Sequence, residues 1–167
     1  MHINDEHLYH GAALIQIAEN HQFTAINQLK VQGEVVSVAY RINSDIAVYL
    51  KYGAYPKSNK YAEYQFTFKK EQLANIRQIW KESPKTYIAL VCIKDREICC
   101  ISCEKLIELI KRRSDKKGSE EAQYTVLVTV QQKKSFRVYV NAPGKKKTIL
   151  GKEFIVKRNE FPDAIFS

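Results

Sequence analysis

Apolar residues in the first part of the chain recur at spacings that predict one helix and three strands. Residues 8–20 place Leu8, Ala12 and Ile15 along one side of a helix. The next three segments are rich in β-branched and aromatic residues, which favour extended structure. They are 35–42 (VVSVAYRI), 46–52 (IAVYLKY) and 64–68 (YQFTF). Asn43-Ser44 predicts a tight turn between the first two strands.

The rest of the pattern adds two helices and several strands. Apolar side chains at helical spacing predict the helices, and short apolar runs predict strands covered on both faces. These elements are the helices 70–81 and 102–113 and the strands 87–93 (YIALVCI) and 98–102 (ICCIS). Past residue 123 the segments YTVLVTV, SFRVYV, KTIL and EFIV are extended in character. We therefore predict a mixed α/β fold, with a central mixed sheet flanked by helices in the order αβββαββα and a β-rich basic tail.

Polar residues after the third helix predict where the chain divides. The stretch 114–122 (SDKKGSEEA) contains glycine and no apolar run, which is typical of a linker or a long loop. It separates an α/β core domain at 1–113 from a β-rich basic extension at 123–167, which we expect to pack on that core. With 167 residues, of which 45% are hydrophobic, the chain is long enough to bury such a core.

Charge narrows the choice of partner. The formal net charge is +9 and the pI is about 9.3, which favours a polyanion, nucleic acid first and DNA before RNA. A basic protein without such a partner fits the charge equally well. The longest apolar run, YIALVCI, is far shorter than the roughly 20 residues of a membrane span, and MHINDEHLYHG lacks the basic flank of a signal peptide. We therefore expect a cytoplasmic protein that does not enter a membrane.

Cysteine and histidine give weak metal signals. Cys92, Cys99, Cys100 and Cys103 lie within a dozen residues, but Cys99 and Cys100 are adjacent in a strand and therefore point to opposite faces. Burial in the core is the simpler interpretation of all four thiols. The histidines near the first helix offer no third ligand for a zinc site.

Two basic segments are the candidate nucleic-acid contacts. Residues 131–158 carry nine Lys and Arg against one acid, Glu153, although a charge run is also usual on a solvated surface. The candidates there, which we expect along one edge of the extension, are Lys133, Lys134, Arg137, Lys145, Lys146 and Lys147. The loop before the third strand mixes tyrosines with lysines, as single-strand binders do. Its candidates are Tyr55, Lys57, Lys60 and Tyr61. The tyrosines of this region could instead fill the core or bind a protein.

The order of the predicted elements gives a family resemblance. Residues 7–93 resemble the core of the PD-(D/E)XK restriction-endonuclease-like superfamily, with a helix, three strands, a helix and a strand. In that family an acid early on the second strand and an acid and a lysine two apart on the third hold one or two divalent metals, often with a glutamate of the first helix. The resemblance implies Asp45 and Glu63 as the two acids, with Gln65 in place of the lysine.

The missing lysine matters because a neutral Gln65 cannot supply its positive charge. Lys51, on the neighbouring strand, is the candidate substitute. It shares a strand face with Asp45, but lies about 20 Å from it at roughly 3.3 Å per residue, which disfavours a shared metal. Glu6 and Glu19 are both candidates for the helix glutamate. If the chain is catalytic, the resemblance implies Mg²⁺ or Mn²⁺ held by Asp45 and Glu63, and otherwise no cofactor.

Two classes of function remain open from the sequence. The first is a nucleic-acid-associated protein, either a Mg²⁺- or Mn²⁺-dependent nuclease of restriction-endonuclease-like type or a relative with reduced catalysis. The second is a non-enzymatic module that binds a protein through the tyrosine-rich loop. The whole chain, with its segments HLYHGAAL, DIAVYLKY, YQFTF and FPDAIF, also looks like small bacterial proteins, a likeness that implies no activity. Convergence of Asp45, Glu63 and a lysine ammonium would separate the two classes.

Overall fold

The computed structural model describes residues 1–57 and 62–167, which form three α-helices and nine strands. The helices are α1 (Asp5–Glu19), α2 (Lys70–Glu82) and α3 (Cys103–Lys117), with a short 3-10 helix at Asp163–Phe166. The first six strands are β1 (Ile26–Val31), β2 (Glu34–Ile42), β3 (Ile46–Gly53), β4 (Ala62–Lys69), β5 (Lys85–Cys92) and β6 (Glu97–Ser102). The last three are β7 (Gln123–Val130), β8 (Phe136–Tyr139) and β9 (Phe154–Val156). No helix in the described ranges is both long and apolar enough to cross a membrane.

The first sheet has five strands in the order β1-β2-β3-β5-β6. Neighbours are antiparallel except β3 and β5, which are parallel, so this sheet is mixed and the predicted mixed α/β class is confirmed. The sequence pattern missed β1, because this edge strand buries only Leu29 and therefore shows no apolar alternation. The turn from β1 into β2 is made by Gln32 and Gly33, both at positive φ.

The second sheet has the order β4-β7-β8-β9 and is antiparallel throughout. It is not built from the tail alone, since β4 pairs with β7 from Ala62–Val130 to Lys69–Gln123. The reason is the aromatic face of β4, on which Tyr64, Phe66 and Phe68 are at most 1% exposed.

The first sheet is buried on both of its faces. One face packs against α1 and the C-terminal 3-10 helix through residues such as Ala13, Ile17 and Ile165. The other face packs against α2, α3 and the inner face of the second sheet. Cys99 lies in the core on the side of α2, α3 and the second sheet, and Cys100 lies in the core on the side of α1, which confirms that the two thiols point to opposite faces.

The face of α1 that contacts the sheet differs from the predicted one. Leu8 and Ile15 are 58% and 62% exposed, whereas His10, Ala13 and Ile17 are buried. Ala13 and Ile17 are fully buried in the core between this helix and the sheet. The apolar spacing of the sequence therefore marked the outer side of this helix.

The predicted linker 114–122 is tied to both neighbouring segments. Helix α3 continues to Lys117, and Gly118 ends it in the left-handed conformation. Arg113 donates to the Glu121 carboxylate at 2.6 Å and to the Asn141 carbonyl at 2.9 Å, so α3, this stretch and the tail are joined. One core cluster also contains residues from both sides of the stretch.

A hydrogen bond of Tyr64 connects the two sheets. Its hydroxyl donates to Asp95 Oδ2 at 2.5 Å and accepts from the Asp95 N–H at 3.0 Å, in the turn between β5 and β6.

We expect Tyr64→Phe to lower the free energy of unfolding by about 1–2 kcal/mol, because the phenyl ring keeps the packing but loses both hydrogen bonds. Urea unfolding measures the change, with Tyr55→Phe as the control at a side chain that is 71% exposed. Equal midpoints for Tyr64→Phe and wild type would contradict this role.

Candidate functional site

The first sheet opens beside the carboxyl end of β3. Strand β2 pairs with β3 only as far as Ala39 opposite Tyr49, whereas β5 accompanies β3 to Gly53. The first residues of β2 pair only with β1, on the other edge of β2, past a register shift between Gln28 and Leu29. The end of β3 therefore lacks a neighbour on the β2 side, and a cleft lies there between the first turns of α1 and α2.

This cleft has a volume of about 320 Å³. Its lining residues, which define the Lys51 cleft, are Glu6, His10, Val38, Tyr49, Leu50, Lys51, Tyr52 and Gln72. A second cavity of about 350 Å³ adjoins it, shares Glu6, Val38, Tyr49 and Gln72 with it, and also contains Glu34. The two cavities form one polar groove with an apolar floor.

The Lys51 ammonium is half-buried in the cleft. It donates a long hydrogen bond of 3.4 Å to Gln72 Oε1 and lies 5.0 Å from the centre of the Phe68 ring. In the described ranges no carboxylate lies within 4.0 Å of it. Burial, followed by the nearby Lys69 ammonium, lowers the pKa of Lys51. A cation that has lost water and gained no counter-ion favours an anionic ligand.

Local structure at the two helix starts holds the cleft side chains in place. Asn4 caps α1 by accepting from the His7 N–H at 2.9 Å, and the His7 ring accepts from the Asn4 N–H at 3.1 Å. Glu6 in this first turn is favoured by the helix dipole. At the start of α2, Gln72 Oε1 accepts from the Lys69 N–H at 2.9 Å, which orients the amide toward Lys51.

His10 contributes a buried nitrogen without a partner. Its side chain is 6% exposed, and Nε2 makes no hydrogen bond in the described part of the chain. Its ring meets the edge of Tyr52 at 5.5 Å, and Tyr9 packs on Tyr52 at 5.0 Å. Burial lowers the pKa of His10, Glu6 opposes this shift and Lys51 adds to it. The imidazole is therefore neutral at pH 7 and offers either a donor or an acceptor.

Tyr49 closes the floor of the cleft. It is 3% exposed, and burial together with the Glu6 carboxylate raises the pKa of Tyr49 to about 12. The phenol is therefore neutral at physiological pH and can donate a hydrogen bond, but cannot serve as an anionic metal ligand.

Asp45 and Glu63 do not come together. Asp45 lies in the turn before β3 and pairs with Lys85 at 3.5 Å. Glu63 lies in the second sheet, where it accepts a hydrogen bond from the Tyr139 hydroxyl. The neighbouring Tyr64 contacts Gly53, at the far end of β3, so about 26 Å of strand separates the two acids at roughly 3.3 Å per residue. The pair therefore does not fit one Mg²⁺ or Mn²⁺ ion.

Gln65 does not join Lys51 either. It is exposed on β4 opposite Leu127, on the outer face of the second sheet. Lys51 instead meets the inner face of that sheet at Phe68. The expected catalytic set is thus divided among three places, because β4 belongs to a different sheet from β3.

Other metal-binding groups are likewise not seen. Within 1–57 and 62–167, no three His, Cys, Asp or Glu side chains are grouped as a metal site would require. All four thiols are free and buried. Burial raises the pKa of Cys100 and Cys103 to about 12, which makes both poor nucleophiles.

The basic residues of the tail do not share one edge. Lys133 and Lys134 are exposed in the turn before β8, whereas the exposed residues Lys145, Lys146 and Lys147 follow β8 in a hairpin tip closed by a bridge from Asn141 to Ile149. The two groups therefore lie at opposite ends of β8. Arg137 pairs with Glu153 at 3.3 Å, so its charge is partly used within the fold.

Tyrosines of the opening region divide between core and surface. Tyr49 and Tyr64 are buried, Tyr52 is half-buried and Tyr55 is 71% exposed. Lys57 is exposed, and its N–H bonds to the Glu63 carbonyl. The candidates Lys60 and Tyr61 lie outside the described residues.

Sequence reasoning missed most of the Lys51 cleft. His10 and Gln72 were not proposed as site residues, and Glu6 was only one of two candidates on the first helix. The available signal was the i, i+4 spacing of Glu6 and His10, which puts them on one helix face. No signal in the sequence indicated that this face meets Lys51.

Comparisons with known proteins give no family and no relative. No family model, no curated protein and no solved structure matches the chain.

The shifted pKa of His10 predicts a pH-dependent stability. The pKa is lowered from an ordinary value of 6.5, so below pH 6.5 the unfolded chain takes up a proton that the folded chain resists. Stability is therefore lost as the pH falls. We expect His10→Gln to lose less free energy of unfolding than wild type between pH 7.5 and 5.0, as measured by urea unfolding.

The matched control for this experiment is His21→Gln, at an exposed histidine. Its pH dependence should follow that of wild type. If His10→Gln and wild type show parallel loss of stability, His10 does not titrate with folding.

Proposed function

We propose that this protein binds nucleic acid at the Lys51 cleft and is a non-cleaving relative of the restriction-endonuclease-like type. The observation that carries the proposal is the half-buried Lys51 ammonium without a carboxylate partner in the described part of the chain. Desolvation of this charge is offset when a phosphate oxygen takes the place of water. The formal net charge of +9 makes a polyanion the favoured source of that oxygen.

The surroundings of the cleft extend the positive surface. Lys69 is exposed at the end of β4, opposite Gln123 at the start of β7. The hairpin tip with Lys145, Lys146 and Lys147 projects from the same end of the second sheet, because β8 runs antiparallel to β7. Two strand spacings separate β4 from β8, about 10 Å. A nucleic-acid backbone can therefore contact the cleft and the hairpin tip together.

The observed strands change how the family pattern transfers. With β1 present, β3 is the third strand of the meander, and Tyr49 and Lys51 are the pair two apart on it. Glu34 is the first residue of β2, and Glu6 lies on the first helix. All four residues line the two adjoining cavities. This arrangement supports a relationship in which the lysine is kept and the second acid is replaced by a tyrosine.

The tyrosine is the reason to propose binding without cleavage. A carboxylate at this position would supply a hard anionic oxygen for Mg²⁺ or Mn²⁺. The neutral Tyr49 phenol supplies only a weak ligand, while Lys51 and the outer lysines still attract phosphate. The chemistry of the cleft therefore favours holding a backbone over activating water on it.

Substitutions that remove positive charge from the cleft or from the hairpin tip test the binding site. We expect Lys51→Gln to weaken binding of labelled DNA about three- to tenfold at low salt and to reduce the log-log salt slope by about 0.7–0.9, one phosphate contact. The triple change of Lys145, Lys146 and Lys147 to Ala should reduce that slope by about two to three. Fluorescence anisotropy at several salt concentrations, with DNA and RNA probes, measures both.

Two controls remove charge elsewhere. Lys85→Gln removes a lysine at the other end of the first sheet, and the double change of Lys133 and Lys134 to Ala removes charge at the other end of β8. Both should lower the slope less than the variants in the cleft and the hairpin tip. Loss in proportion to the number of charges removed, wherever they lie, would indicate binding by net charge alone.

A nicking assay with supercoiled plasmid and Mg²⁺, Mn²⁺ or EDTA tests the absence of cleavage. We expect no nicking by wild type under any of the three conditions. Metal-dependent nicking that is lost in Asp45→Ala or Glu63→Ala would restore the nuclease hypothesis. If wild type binds neither DNA nor RNA at low salt, the protein-binding module with the exposed Tyr55 is the better explanation.

A further inference from the structure

We infer that the Lys51 cleft holds one unstacked nucleotide of a single nucleic-acid strand, with a phosphate at Lys51 and the base on Tyr52. The inference rests on the proposed function and names the form of nucleic acid that the cleft accepts. It follows from the size of the cleft, its aromatic wall and an unpaired buried nitrogen.

The size of the cleft separates single strands from duplexes. A cavity of about 320 Å³ is at the lower end of the range for small-ligand pockets. One base with its sugar and phosphate fits such a space, but a base pair held inside a double helix cannot enter it. Only a strand whose bases are free can therefore use both the cation and the wall of the cleft.

The aromatic wall is placed to stack a base. Tyr52 follows Lys51 directly on β3, so its ring lies on the opposite face of the strand and lines the same cleft. Tyr9 at 5.0 Å and His10 at 5.5 Å fix the Tyr52 ring. A cation and an aromatic ring that line one cleft are the combination by which single strands are held without sequence preference.

The cleft contains a buried nitrogen and a strand edge that have no pairing partner in the described part of the fold. His10 Nε2 has no partner in the described ranges, although the side chain is only 6% exposed. The edge of strand β3 beyond Tyr49 has no paired neighbour on the β2 side. A base edge carries both donors and acceptors and can satisfy these groups together. Glu6, the acid in the cleft, can accept from an amino group of the base.

The experiment compares a 12-nucleotide single-stranded DNA with the same sequence as a duplex, by fluorescence anisotropy. We expect wild type to bind the single strand at least roughly fivefold more tightly. Tyr52→Leu should weaken single-strand binding by roughly five- to a hundredfold, the range for loss of one stacked base, and weaken duplex binding much less. Tyr52→Phe keeps the ring and should behave as wild type.

Tyr55→Leu is the matched control, because this tyrosine lies outside the cleft lining and is 71% exposed. A strand carrying 5-iodouracil should photo-cross-link to Tyr52 and not to Tyr55, as mapped to the single residue by tandem mass spectrometry. Melting curves check that each variant is folded. If Tyr52→Leu does not fold, the cross-link map decides the question, and a cross-link to any residue outside the cleft lining overturns the inference.

The outcomes separate the inference from the proposed function. Equal binding of single strand and duplex, with no effect of Tyr52→Leu, overturns the inference and leaves the proposed function standing. Loss of the single-strand preference in Tyr55→Leu places the base on the loop instead and also overturns it. If neither probe binds to wild type, the proposed function itself fails.

Discussion

Burial of the aromatic face of β4 is the constraint on which the rest of the structure depends. Tyr64, Phe66 and Phe68 cover the face of the first sheet that lies opposite α1. They can do so only because β4 leaves that sheet and pairs with β7 over its whole length. This pairing joins the two parts of the chain into one core. It also fixes where α2 begins, and therefore where Gln72 meets Lys51.

The same arrangement makes Lys51 electrostatically unusual. Phe68 and the start of α2 remove water from the ammonium without supplying a negative charge, which lowers its pKa. Most other basic side chains of the protein are exposed to water, and some make ion pairs within the fold. Arg158, for example, pairs with Glu97 at 2.7 Å and stacks on Phe136. The net charge of the chain therefore overstates the number of cations available to a partner.

Sequence periodicity identified the helices that bury one face and the strands that bury both faces. The apolar spacing of α2 and α3 and the apolar runs of β3 and β5 reflect contacts that every segment of this kind makes with a core. The pattern failed where burial is slight, as in β1, and on α1, where the apolar stripe through Leu8 and Ile15 is the exposed one. There Ala13 and Ile17 are the residues buried against the sheet.

The sequence by itself determined the mixed α/β class and the basic character, since these depend on composition and local period. Tertiary structure alone decided that β4 joins the second sheet, that Asp45 and Glu63 lie far apart, and that Glu6 and His10 meet Lys51. The physical reason is that strand pairing and helix docking are selected by the total apolar surface buried among segments distant in the chain. No local pattern records that sum.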